Sequence, residues 1–171
     1  MPLAQIRGQK ASVDLISRTL QSNRLPSAWL FSGPPSVGKR LTALLIAQAL
    51  NCKTHQGLDA CGTCDPCRQI EVGNFADVEL IEPFGQNIRM EQIHEALRWM
   101  QYRPERGHYR VLILDEAERM NRESANAFLK TLEEPPPQTT IILLTTSPML
   151  LLETILSRCQ QVRFQPSPQR Y

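Results

Sequence analysis

The stretch "AWLFSGPPSVGKRL", Ala28 to Leu41, constrains the fold more than any other part of the chain. Ala28-Trp29-Leu30-Phe31 reads as a short buried strand, a glycine-containing turn follows directly, and Leu41, Leu44, Leu45 and Leu50 then line a helix. Strand, turn and helix in immediate succession aim the unpaired N–H groups of the helix start at whatever lies beyond the strand, a ready place for an anion. Gly33, Gly38 and Lys39 satisfy the phosphate-loop pattern G-x-x-x-x-G-K-[ST]. The last position departs from it. A hydroxyl belongs there, because its oxygen ligates the Mg²⁺ of a bound nucleotide, and the chain has Arg40 instead.

The rest of the chain alternates helix and strand. Val13, Ile16 and Leu20 mark an amphipathic helix from roughly Gln9 to Ser22, which Asn23 to Ser27 breaks. Further strands are expected at Val78–Ile81, Val111–Leu114, Ile141–Thr145 and Gln161–Phe164, with helices near Glu91–Met100 and Arg122–Leu132 and a short one ending at "TILS". Apolar strands separated by helices indicate an α/β fold with a five-stranded parallel sheet covered on both faces. The proline-rich "QPSPQRY" at 165–171 reads as the start of a linker.

Between the second helix and the second strand, Cys52, Cys61, Cys64 and Cys67 form C-x8-C-x2-C-x2-C. Two successive C-x2-C steps let backbone turns present thiolates to one ion, and Cys52 closes a tetrahedral structural zinc site with no vacant position for catalysis. The competing reading is a group of free or redox-active thiols. His55 is read as a solvated loop residue and Cys159 as a buried thiol.

"VLILDEAERM" places Asp115 and Glu116 at the end of an apolar strand. Downstream of a phosphate loop, such an aspartate holds Mg²⁺ and the next glutamate orients the attacking water, although acids also end strands simply to cap the next helix. Thr146, within Thr145-Thr146-Ser147 at the end of the following strand, is placed to feel a γ-phosphate. Arg40 works against the metal. It removes one ligand and sets a second cation beside Lys39, an arrangement that still attracts phosphate but repels Mg²⁺. Hydrolysis in cis is therefore not expected, Glu116 is read as vestigial, and ATP or ADP binding is expected to be weak.

Composition narrows the function classes. A net charge of +2 over 171 residues gives no bulk attraction for nucleic acid, and no apolar run approaches a membrane span. No basic start followed by an apolar stretch opens the chain, so a cytoplasmic protein with reduced or metal-bound cysteines is expected. A zinc-containing nucleic-acid binder is a further possibility, but neither a basic stripe nor an aromatic platform accompanies the cysteines.

"ANAFLKTLEEPP" (Ala125 to Pro136), "LLTTSP" (Leu143 to Pro148), "TILSRCQQVRF" (Thr154 to Phe164) and the cysteine loop together resemble the bacterial clamp-loader subunits of DNA polymerase III, which are AAA+ proteins. The resemblance covers nearly the whole chain. It implies an AAA+ domain over residues 1–165 with a zinc-binding loop at about 52–67, and a linker from 166 towards a lid and a collar domain. It implies that "IRGQ", Ile6 to Gln9, packs near an adenine, and that Arg158 of Ser157-Arg158-Cys159 reaches the ATP of a neighbouring subunit as a trans finger. "VELIEPFGQNIRMEQI" and "GKR" look like the delta-prime subunit, which supports its ATP-hydrolysing neighbours; the gamma/tau type, with an intact G-K-T loop, is the alternative. The implied partners are gamma/tau and delta subunits, with the sliding clamp and primed DNA reached through the complex. Ser36 also stands where a glycine is usual.

Overall fold

In the computed structural model, residues 3–22, 24–54 and 59–166 are described; Asn23, His55 and the tail from Ser167 lie outside them. Five strands form one parallel sheet: β1 (Ala28–Ser32), β2 (Val78–Ile81), β3 (Arg110–Leu114), β4 (Thr139–Thr145) and β5 (Gln160–Arg163), in the spatial order β2-β3-β4-β1-β5. Six α-helices join them: α1 (Lys10–Gln21), α2 (Lys39–Asn51), α3 (Asp65–Glu71), α4 (Met90–Met100), α5 (Arg122–Glu133) and α6 (Glu153–Leu156). Every expected strand is present within two residues of its expected bounds.

The sheet's position explains its composition. β1, β3 and β4 are buried at every residue, while the edge strands β2 and β5 are only partly covered. Side chains alternate between two cores because successive strand residues point to opposite faces. Trp29 and Phe31 join Ile16, Ile46 and Ile70 under α1, α2 and α3. Leu30, Leu112 and Leu143 face the other way, onto Ile93, Phe128 and Ile155 of α4, α5 and α6. Helices on both faces of a parallel sheet leave the carboxyl ends of the strands as the open edge, where ligand sites in this architecture collect.

At the opposite edge the segment entering β3 is fixed by two buried side chains. Asp77 accepts N–H bonds from Glu105, Arg106 and Gly107, each at 2.7 Å, and lies 3.4 Å from Arg110 Nε. Asn51 Oδ1 accepts the next two, from His108 at 2.9 Å and Tyr109 at 3.1 Å. Five consecutive backbone donors that no ladder could serve are thus satisfied by two residues.

Candidate functional site

The order β3-β4-β1 brings the ends of three strands together, and with them nearly all the phosphate-loop candidates. Gly33 leaves β1 with its N–H donated to Thr145 O at 3.2 Å. Its close approach to the exit of β5 leaves no space for a side chain: a Cβ there would lie 2.6 Å from Phe164 O. Ser36 adopts φ +60°, the left-handed conformation a glycine takes without cost. Gly38, at φ +96°, caps α2, and its carbonyl accepts from the Thr42 hydroxyl at 2.7 Å.

A cleft of about 470 Å³ lies over this loop, lined by Ser36, Gly38, Lys39, Arg40, Asp115 and Thr146 among others. A larger one, about 970 Å³, is lined by Gln5, Ile6, Arg7, Gly8, Lys10 and Val13 beside it. Ile6 connects the two, since a Cβ on Gly38 would lie 3.4 Å from its methyl. Ile6 of "IRGQ" thus lies against the glycine loop.

The charged side chains at the cleft are turned onto the protein. Lys39 is buried and donates to the carbonyls of Gly33 and Pro34, the latter at 2.9 Å. Burial holds its pKa below the ordinary lysine value, against the opposing pull of Asp115 and Glu118. Arg40 Nη1 sits 2.5 Å from Glu82 Oε1 and 3.7 Å from Asp115 Oδ2. Glu116 begins a turn at φ +49°, donates its N–H to Asp115 Oδ1 at 2.9 Å and lies 3.8 Å from Arg119. Thr146 lines the cleft, but its hydroxyl is donated to Glu118 Oε1 at 3.2 Å, while Thr145 donates to Oε2 of the same carboxylate at 2.7 Å.

Two of these carboxylates are absent from the sequence expectations. Glu82 directly follows β2 as Asp115 directly follows β3, and that shared placement is the signal that finds it. Glu118 carries no such mark; only the fold shows that it meets the two threonines.

A divalent ion is implied by the fold type at this cleft, and the donor set does not suit one. The required hydroxyl is missing, and the Arg40 guanidinium stands 3.7 Å from Asp115, the acid expected to hold the ion.

The cysteine cluster lies at the far side of α2. The sulfur atoms of Cys52, Cys61, Cys64 and Cys67 all lie within 4.8 Å of one another. Four thiolates around one zinc at about 2.3 Å would be separated by about 3.8 Å, so little movement separates this arrangement from a tetrahedral site. Its surroundings suit thiolates. Cys61 N–H donates to Cys52 Sγ at 3.3 Å, and the N–H groups of Thr63 and Cys64 donate to Cys61 Sγ at 3.4 and 3.2 Å. The Thr54 hydroxyl, with these N–H groups, holds the exposed Cys61 thiol down at about 5, whereas burial pushes Cys67 up.

What reads in the sequence as a polar loop contains a helix, α3, with Asp65 and Pro66 at its start and Cys67 on its buried side. Pro at a first helical position is the sequence sign of that start. Gln48 Nε2 donates to Cys67 O at 2.9 Å, and Leu3 N–H donates to Asp59 Oδ1 at 3.0 Å, so the cysteine module is tied to α2 and to the first residues. The residues present can hold a metal ion.

Arg158 lies at the end of α6, apart from both sites. It is half exposed, with Nη1 donating to Thr154 O at 2.8 Å and Nη2 donating to Glu133 Oε1 at 3.2 Å. Cys159 beside it is half-buried rather than fully enclosed, and burial pushes its thiol up to about 12. None of the described helices is long and apolar enough to cross a membrane.

Comparison with known proteins agrees with the geometry. A solved structure from Thermotoga maritima, described as a DNA polymerase III gamma subunit-related protein, superposes with a TM-score of 0.68 at 26% identity over 91% of this chain and 46% of that one. Thermotoga maritima RuvB shares the fold, with a TM-score of 0.62 at 18% identity over 95% of this chain and 48% of its own. DNA polymerase III subunit tau of Escherichia coli (strain K12) is 42% identical over 158 residues, 92% of this chain and 24% of that protein. Subunit delta' of Bacillus subtilis (strain 168) is 36% identical over 158 residues, 92% of this chain and 48% of that protein. The chain thus spans less than half the length of either curated relative. The family model for the DNA polymerase III delta subunit matches residues 8–168, and the chain belongs to that family, with an AAA+ fold.

Proposed function

We propose that the chain is the AAA+ domain, residues 1–165, of a delta-prime-like clamp-loader subunit of DNA polymerase III. It does not hydrolyse ATP itself. It supports neighbouring gamma/tau ATPase subunits and delta in the cytoplasm while the complex places the sliding clamp on primed DNA. The observation that carries this reading is Arg40 in the hydroxyl position, paired with Glu82 and Asp115. Without a bridging divalent ion, the charge that develops on a transferring phosphoryl group loses its main stabiliser. Lys39 and the backbone of Gly33 to Gly38 then offer at most weak binding to ATP or ADP.

Arg158 is the residue the subunit gives to others. Its place after α6 sets the guanidinium on the surface, held among the described residues by Glu133 and a carbonyl, from which it can turn to the γ-phosphate of an adjacent subunit. Trans arginines in phosphoryl transfer are worth about 10³–10⁵-fold in rate; in a loader with several sites the loss on removal is smaller. The test is to rebuild the loader with full-length Arg158→Ala protein and measure DNA-stimulated hydrolysis and clamp loading. Normal assembly with slowed hydrolysis at one site supports the role; a rebuilt complex equal to the parent makes Arg158 a surface charge only.

The metal at Cys52, Cys61, Cys64 and Cys67 is zinc in this reading, since four soft thiolates in a closed tetrahedron select it and leave no position for a reacting ligand. Metal analysis of the purified protein that finds no zinc contradicts this part. A gamma/tau-type ATPase is the second reading, favoured by the retained Asp115 and Glu116. Mg²⁺-dependent ATP turnover by the purified protein would establish it over the first.

A further inference from the structure

Two carboxylates and one nitrogen define a point at the carboxyl edge of the sheet. Ile81 and Leu114 are register partners, and Asp115 N–H donates to Ile81 O at 2.9 Å. Glu82 and Asp115 follow those partners, so the pairing of β2 with β3 sets two acids side by side. Like charges so placed repel unless a cation stands between them. The nearest lysine is not free to do so, because the Lys39 ammonium is committed to the carbonyls of Gly33 and Pro34. Arg40, the second residue of α2, supplies the charge, and the same atom, Nη1, faces both acids at 2.5 and 3.7 Å.

Those two distances have a meaning for a metal. Hard divalent cations bind oxygen at about 2.0–2.6 Å, and Mg²⁺ commonly reaches further carboxylates through retained waters. An ion at the Nη1 position would have Glu82 as a direct ligand and Asp115 one water away. We propose that Arg40 is the resident cation of this site, standing in the position of a divalent ion, and that Glu82 is the specificity-determining residue that holds it there and excludes metal. This rests on the reading of the chain as a non-hydrolysing subunit and adds to it a residue outside the phosphate-loop motif.

A guanidinium balances charge differently from a metal. It keeps its proton at any accessible pH, and it has no open coordination position with which to bind water or polarise a phosphoryl oxygen. One of the two negative charges is therefore balanced while the site stays chemically inert. Removing the guanidinium should uncover the two acids as a latent divalent site.

Mn²⁺ is the probe, titrated by electron paramagnetic resonance into purified protein whose cysteine cluster has first been saturated with zinc. The parent should bind no Mn²⁺ specifically below millimolar concentration. Arg40→Thr and, independently, Arg40→Ala should bind one Mn²⁺ at least tenfold more tightly than the parent, and adding Glu82→Gln should return the affinity to the parental level. Parental binding as tight as in the Arg40 variants overturns the proposal. So does no gain in either folded Arg40 variant, or a gain that survives Glu82→Gln. Circular dichroism confirms folding, and the half-exposed Arg40 and Glu82 make both changes tolerable. Failure here leaves the loader role standing, because that role is read from assembly and hydrolysis with Arg158→Ala; failure of the loader role leaves the Mn²⁺ result standing.

Discussion

Backbone N–H groups are set against the sulfurs of Cys52 and Cys61, and the Thr54 hydroxyl lies 3.8 Å from Cys52 Sγ. At the phosphate loop, the group set against Glu82 and Asp115 is a full positive charge from the chain itself. Both are clusters of ligand-type residues, one marked by the spacing of its cysteines and the other assembled when β2 pairs with β3. They differ in whether the protein has already supplied the countercharge. Where, among the described residues, dipoles face the ligands, as at the cysteines, the cluster has capacity for an ion; where a guanidinium faces them, that capacity is used. Ligand identity and spacing do not separate the two cases, and the third dimension does.

The sharpest way to test this contrast is to remove a ligand from the cysteine cluster. Cys67→Ser should abolish stoichiometric zinc, since structural zinc contributes on the order of 10–16 kcal/mol of apparent binding free energy near neutral pH. Inductively coupled plasma analysis should fall from one zinc per chain to near none. Residues 59–71 should lose amide protection in hydrogen exchange while the sheet keeps its own.

Gly33→Ala probes the shape of the phosphate loop rather than its charge. The added Cβ would meet the Phe164 backbone at 2.6 Å, so either the loop or the exit of β5 must shift. A loss of about 2–3 kcal/mol is expected in urea unfolding, in the range of strained backbone positions. An unchanged midpoint would mean that loop and exit segment are not packed as tightly as the geometry requires.

Cys159 supplies the internal reference for the cysteine cluster. Its thiol, raised from 9.0 to about 12 by burial, is almost entirely protonated at pH 8. The thiolate fraction falls roughly 900-fold, and the greater nucleophilicity of a more basic thiolate recovers part of it. In zinc-loaded protein, iodoacetamide should modify Cys159 roughly 40-fold more slowly than an unperturbed thiol, with the rate still rising with pH above 10. Rapid labelling at pH 8 would break the assignment of Cys159 as a packing residue.

Arg40→Ala should give the smallest change of all in stability, under about 1 kcal/mol, because its ion pairs are half exposed and such pairs contribute little. A loss several times larger would show that the guanidinium acts as a structural strut as well as a countercharge.

Much of this molecule is legible in its sequence, for physical reasons. β1, β3 and β4 are buried on both faces, so each carries a continuous apolar run of four residues, and the glycine loop is fixed in sequence because one turn must join β1 to α2 at close quarters. The C-x2-C steps are local for the same reason. What escapes is what the sheet assembles from distant segments. Glu82 belongs to no motif and acquires its meaning only when β2 pairs with β3. Glu118 matters because β4 brings Thr145 and Thr146 to it. Asp77, a fully buried acid one residue before an edge strand, has no periodicity to announce it, and its partners lie in an irregular segment 28 to 30 residues away. α3 was hidden because its apolar side is short and its first turn is shared with the cysteines.

Gln9 pairs with Gln165 in both directions, its Nε2 donating to the carbonyl at 2.7 Å and its Oε1 accepting the N–H at 2.8 Å, while Ser12 donates to Arg163 O across the same seam. Mechanically this is a clasp. A pull on the chain as it leaves β5 loads β5 in shear along its ladder with β1, and the Gln9 and Ser12 bonds share that load. Part of the force therefore passes into α1 and the segment from Ile6 to Gly8 that walls the larger cleft.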